Sequence, residues 1–88
     1  MQDAFTEETP RIVLIRENLD KLRRANGIPS EAKLADILGV SRATLWRISN
    51  DKVSPSAEFI ARALTTFPHI EFKVLFRVEQ PKNQAVAV

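Results

Sequence analysis

The sequence has no cysteine, a single histidine, two glycines and no long apolar run. Without cysteine there is no disulfide framework and no thiolate metal site, which fits a reducing cytoplasm. The one histidine, His69, follows Pro68 and has no carboxylate cluster at ligand spacing around it. It reads as a surface or helix-flanking residue, and no metal is expected. A glycine-rich phosphate loop, a paired-carboxylate constellation and a Ser/His/Asp set are also missing. The chain is therefore expected to be no enzyme, to need no cofactor and to offer no small-molecule substrate site. No stretch approaches the roughly 20 apolar residues of a membrane span and no signal-peptide pattern is visible, so a soluble, cytoplasmic protein is expected.

What is present is enough for one small domain with a single core: 88 residues, with a net charge of +2. That total says little about partners, but its distribution says more. In residues 1–20, Arg11 and Arg16 are outnumbered by Asp3, Glu7, Glu8, Glu17 and Asp20, a net −3. Residues 21–52 carry seven Lys and Arg against Glu31, Asp36 and Asp51, a net +4, and residues 53–88 come to +1. A phosphate-facing surface requires such a concentration of positive charge.

The positive segment contains the stretch around which the chain is organised, Glu31 to Asn50, EAKLADILGVSRATLWRISN. Ser30 can cap a first helix, and Glu31 just inside it suits the positive end of the helix dipole. Leu34, Ile37 and Leu38 recur at helical spacing and face inward. Ala35 is small enough for a second helix to cross there. Gly39 can turn the chain through positive φ after a helix end. Val40 fills the corner, and Ser41 caps a second helix with Leu45 and Ile48 inside. At about 100° per residue, Arg42, Ala43, Trp46, Arg47 and Asn50 fall on the opposite, exposed arc. A solvated face seldom needs a ring the size of tryptophan's.

Two short helices crossing at a steep angle form a helix-turn-helix pattern. These residues resemble the helix-turn-helix of the lambda-repressor-like family, also called XRE or Cro/CI-like, which includes small phage repressors and Cro proteins. The resemblance spans roughly Ile12 to Phe76 and is most specific at Leu34-Ala35, Gly39-Val40-Ser41 and Leu45 to Ile48. It implies a bundle of four to five helices with a helix-turn-helix, and the residues after the bundle leave room for a short C-terminal β-strand. It also implies sequence-specific binding of double-stranded DNA, with the helix at 41–49 in the major groove. Arg42 and Arg47 are then the main base readers, with Ala43 against a thymine methyl and Trp46 in the groove. Arg23, Lys33, Ser41, Thr44, Asn50, Lys52, Ser54 and Ser56 become candidates for phosphate contacts. Three features depart from the family pattern. Glu31 stands where a phosphate-binding Gln is usual, the loop between Gly27 and Glu31 is one residue longer, and the usual Glu–Arg pair falls on Ser49 and Arg23.

In chain order, residues 1–8 are acidic and aperiodic and read as an arm. Thr9-Pro10 reads as a helix start, with Ile12, Ile15, Leu19 and Leu22 as the inward stripe of helix 1, which stops near Asn26-Gly27. Val13 and Leu14 lie off that stripe and call for a cover outside the helical core. Ser54-Pro55-Ser56 opens a further helix whose inward residues are Ile60, Ala63, Leu64 and Phe67. At period two, Phe72, Val74, Phe76 and Val78 line one face of residues 71–79; at the helical period, Phe72, Leu75 and Phe76 share a side. β-branched content and alternating charge favour a strand over Lys73 to Glu79. Pro81 ends it, and residues 80–88 read as a loose tail.

The domain is thus expected at residues 9–79, closing with a dimerisation segment. Phe72, Val74, Phe76 and Val78, with Val13 and Leu14 nearby, are expected to join a homodimer on a palindromic operator. The paired half-sites of relatives with this motif, about 34 Å apart, motivate that expectation. The resulting reading is a transcriptional repressor of a bacterial cell or a phage-infected host. Two alternatives are an antitoxin that binds its own promoter and a toxin partner, and a protein-only module anchored by Trp46.

Overall fold

Three serines and three left-handed residues punctuate the helices. The structure is a computed structural model and describes residues 9–80. Its elements are β1 (Arg11–Leu14), α1 (Arg16–Ala25), α2 (Glu31–Leu38), α3 (Arg42–Ser49), α4 (Ala57–Thr66), α5 (Phe72–Leu75) and β2 (Phe76–Glu79). Ser30, Ser41 and Ser56 cap α2, α3 and α4; each Oγ accepts from the backbone N–H three residues on, at Lys33, Thr44 and Phe59. The first three helices end in the same turn. Gly27, Gly39 and Asp51 take φ values of 69°, 76° and 61°. The next residues, Ile28, Val40 and Lys52, donate back to the carbonyls of Arg23, Ala35 and Arg47. This is the hydrogen-bond pattern that satisfies the orphan carbonyls of a helix end.

Inside, Leu19, Leu34, Leu38, Leu45 and Leu75 are fully buried, joined by Ala35, Ile48, Ala63 and Phe67. Phe59 and Phe76 meet edge to face with ring centroids 6.4 Å apart. Ile60 and Leu64, expected inside α4, are only half-buried, as is Ile37 of α2, while Phe59 takes the central place on α4. Ala35 is 2% exposed, in keeping with a close approach of two helices.

The two ends of the described chain depart from expectation. Helix 1 does not start at Thr9-Pro10: Arg11–Leu14 is a strand, and α1 begins only at Arg16 with no side-chain cap. The helical stripe therefore shrinks to Leu19 and Leu22. At the other end, both readings of residues 71–79 hold in part, since a single helical turn, Phe72–Leu75, runs directly into Phe76–Glu79 as a strand. The strands pair antiparallel, with Arg11 opposite Glu79, Ile12 opposite Val78, Val13 opposite Arg77 and Leu14 opposite Phe76. The Ile12-Val13-Leu14-Ile15 run suits a pleated, half-buried surface. Its partner, however, lies more than sixty residues away. The pairing also supplies the cover that Val13 and Leu14 called for, leaving them 2% and 4% exposed. The described residues are thus mostly helical, forming five helices and a two-stranded sheet that joins both ends of the described chain. None of the helices among the described residues is long and apolar enough to cross a membrane.

Candidate nucleic-acid interface

Leu45 and Ile48 fix α3 in the core, at 0% and 3% exposure. The opposite face turns out Arg42, Ala43, Trp46, Arg47 and Asn50, all exposed, and Trp46 keeps 56% of its surface accessible. No acidic side chain lies on α3. The outward face is therefore two guanidinium groups and an indole on a rigid helix, with an amide at its end.

Hydrogen bonds along α3 separate free from committed groups. Thr44 Oγ1 accepts from Ser41 Oγ at 3.1 Å and from Arg47 Nη2 at 3.3 Å, while Ser41 Oγ accepts from the Thr44 N–H. Both hydroxyls thus serve the helix start. Asn50 donates its Nδ2 to the Trp46 carbonyl at 2.9 Å, closing the helix end. Lys33 on α2 and Lys52 after α3 are exposed on either side of this helix in the sequence. Ser56 is exposed but caps α4.

Two expected phosphate contacts are placed differently. Ser54 Oγ is buried, so it is not presented to solvent. Arg23 is half-buried, with Nη1 donating to the Ile28 carbonyl at 3.0 Å and Nε enclosed; it secures the loop between α1 and α2. Of the six expected dimerisation residues, Val13, Leu14 and Phe76 have their side chains buried within the single chain. Val74 is half-buried, its carbonyl accepting from Asn18 Nδ2 at 2.7 Å. Only Phe72 and Val78, 38% and 52% exposed, remain open to a partner.

Two positioning residues went unpredicted. Arg16 donates to Asp20 within α1, to Glu31 at the start of α2 and to Ser49 at the end of α3. Arg11 joins Glu79 of β2, 3.2 Å away, to the carbonyl of Asp51 in the turn after α3, also at 3.2 Å. The spacing of Arg16 and Asp20 is an ion-pair signal visible in sequence. The Glu31, Ser49, Glu79 and Asp51 contacts carry no local signal. Glu31 is therefore not a bare negative charge, since an arginine covers it.

Among the described residues no group of His, Cys, Asp and Glu is arranged to hold a metal ion. An open groove of about 400 Å³ runs between α2 and α4, lined by Ile37, Glu58, Ala61, Arg62, Thr65 and Thr66. His69 lines a smaller cleft of about 150 Å³ beside Phe67 and Ile70. Comparison with protein-family models, with curated proteins and with solved structures found no match to this chain.

Proposed function

We propose that this chain is a sequence-specific double-stranded DNA-binding regulator of the lambda-repressor-like kind, with α2 and α3 as its helix-turn-helix. The observation that carries the reading is the outward face of α3: Arg42, Ala43, Trp46 and Arg47 stand exposed on a helix whose other side is locked in the core. A helix with side chains is about 10–12 Å across and a major groove about 12 Å wide, so α3 fits with its exposed arc against base edges. A guanidinium fork matches guanine O6 and N7, and an alanine suits a thymine methyl. Lys33 and Lys52 then approach the phosphates that flank the groove, contacts that orient the helix without reading sequence. An operator occupied in this way is closed to transcription.

The test is footprinting on the DNA that flanks the gene, followed by titration of the protected site against random duplex. Log affinity should fall linearly with log salt, at a slope near −0.9 for each phosphate neutralised. Equal affinity for the two duplexes, or binding indifferent to salt, counts against this function.

A further inference from the structure

Among the described residues three arginines are half-buried, and their nitrogen atoms are used differently. Arg16 commits all three of its own: Nε to Asp20, Nη1 to Glu31 and Ser49, Nη2 to Glu31 and Asp20. Arg23 encloses Nε and donates Nη1 to the Ile28 carbonyl within its loop. Arg11 is mounted at two points instead. Its Nε donates to Glu79 Oε1 and its Nη2 to the Asp51 carbonyl, each at 3.2 Å. These bonds occupy two of the five N–H groups of a guanidinium, and among the described residues nothing engages Nη1. The side chain keeps 28% of its surface accessible. A guanidinium fixed in place thus retains donors for a further acceptor.

The place of this group in the fold selects the acceptor. β1 lies beside α3, and Asp51 is the second residue beyond Ser49, the last of α3. A recognition helix reads base edges with its N-terminal residues, so its C-terminal end leads out toward the phosphate ridge. The next residue, Lys52, is exposed, with its backbone N–H fixed on the Arg47 carbonyl. Glu79 does not face an incoming anion unopposed, since Arg77 Nη2 stands 4.0 Å from its second oxygen. Around this junction Arg11, Lys52 and Arg77 exceed Asp51 and Glu79 by one positive charge. We propose that Arg11 binds a backbone phosphate of the duplex at the C-terminal end of α3, beside Lys52. The strand pair then adds a contact that α2 and α3 alone do not supply. A planar guanidinium suits a pair of phosphate oxygens and stays charged at any working pH. Such a contact positions α3 and reads no base.

This contact rests on the DNA reading, and its test separates the two. The full chain and its variants are titrated with the footprinted duplex over a range of salt. Arg11→Ala should reduce the slope of log affinity against log salt by about 0.9 and weaken binding equally for every base substitution in the site. Arg11→Gln keeps an N–H donor for the Asp51 carbonyl without the charge and should show the same loss of slope, so a folding defect in the alanine variant does not decide the matter. Glu79→Gln removes the other mount while leaving the cation, and should neither lower the slope nor weaken binding. Replacing single phosphates of the duplex by neutral methylphosphonates should reveal one position whose neutralisation weakens the wild type but not Arg11→Gln. If the wild type binds its site with salt dependence, yet Arg11→Gln keeps the full slope or no such phosphate is found, the Arg11 contact is overturned and the DNA reading stands. Equal weakening by Arg11→Gln and Glu79→Gln also overturns it, because the bridge from β2 to the turn is then what matters. A wild-type chain that binds no duplex overturns both.

Discussion

The Arg16 guanidinium holds the Glu31 carboxylate with both terminal nitrogens, Nη2 at 2.6 Å from Oε1 and Nη1 at 3.0 Å from Oε2. The same group reaches Ser49 Oγ at 2.9 Å, so one side chain ties α1 to the first residue of α2 and the last of α3.

Removing that tie should loosen the placement of α3. The site is three-quarters enclosed on the arginine side and more open at Glu31, with side-chain exposures of 23% and 38%. Arg16→Ala should then cost about 1–2 kcal/mol in chemical denaturation, between an exposed pair and a buried one. Burial disfavours the charged guanidinium, but hydrogen bonds and charge from Glu31 and Asp20 outweigh it and raise the Arg16 pKa above its ordinary value. A raised cation pKa gives stability that is full below the ordinary value and lost only as pH climbs through the raised one. The cost of Arg16→Ala should therefore stay level from neutral to mildly alkaline pH. A cost that shrinks over that range would show that the pair is not what stabilises the three helices.

Glu31→Gln keeps an oxygen acceptor for Arg16 and removes a negative charge at the start of α2. It should lower stability by no more than about 1 kcal/mol and raise duplex affinity, because Arg16 then keeps only Asp20 as a counter-charge. Titration at two salt concentrations separates the effects: the affinity gain should narrow at high salt. A loss of affinity would place Glu31 away from the phosphates.

Arg42→Ala and Arg47→Ala should each flatten preference at one base pair, costing about 1–3 kcal/mol there. A base-by-base binding profile makes the assignment. Uniform weakening across all positions would move that arginine to the backbone, the more so for Arg47, whose Nη2 already donates to Thr44 Oγ1.

Trp46 is the sole tryptophan and 56% exposed, so its fluorescence reports on the α3 face alone. Emission of the free protein should be red-shifted and should change on binding operator duplex. Blue-shifted emission indifferent to DNA contradicts a groove-facing ring.

Asp51 holds the left-handed position that Gly27 and Gly39 hold in the two earlier turns. Asp51→Gly should stabilise the fold by about 1 kcal/mol, the cost of that conformation for a residue with a Cβ. Gly39→Ala should destabilise by a similar amount. A Cβ there would also meet the Arg62 side chain at 2.7 Å from Nε, but that is the movable end of an exposed residue. The loss should consequently persist in an Arg62→Ala background; if it disappears, collision and not backbone strain was the cause.

How much could be read before folding follows from the range of each interaction. Ser30, Gly39 and Ser41 act on neighbours within five residues, so both helices of the central stretch, their caps and the turn were legible. The exposed arc of α3 followed from helical geometry once Leu45 and Ile48 were inside. Thr9-Pro10 is a sound local signal for a helix start, yet it was overridden. The apolar run after it gains a ladder of hydrogen bonds from residues 76–79 and buries Val13 and Leu14, which no signal within one turn can represent. The off-stripe placement of those two residues was the trace of that pairing in the sequence. For the same reason Ser54 and Arg23 looked available: exposure is a property of the packed chain.

The sequence by itself determined the two central helices, their serine caps and the residue types of the outward face of α3, because all of these rest on interactions a few residues long. The tertiary structure alone decided that residues 11–14 form a strand, that Phe76 is buried while Val78 is open, and that Arg16 closes on Glu31 and Ser49. Each of those outcomes depends on groups far apart in the chain, whose approach is set by the packing of the whole core.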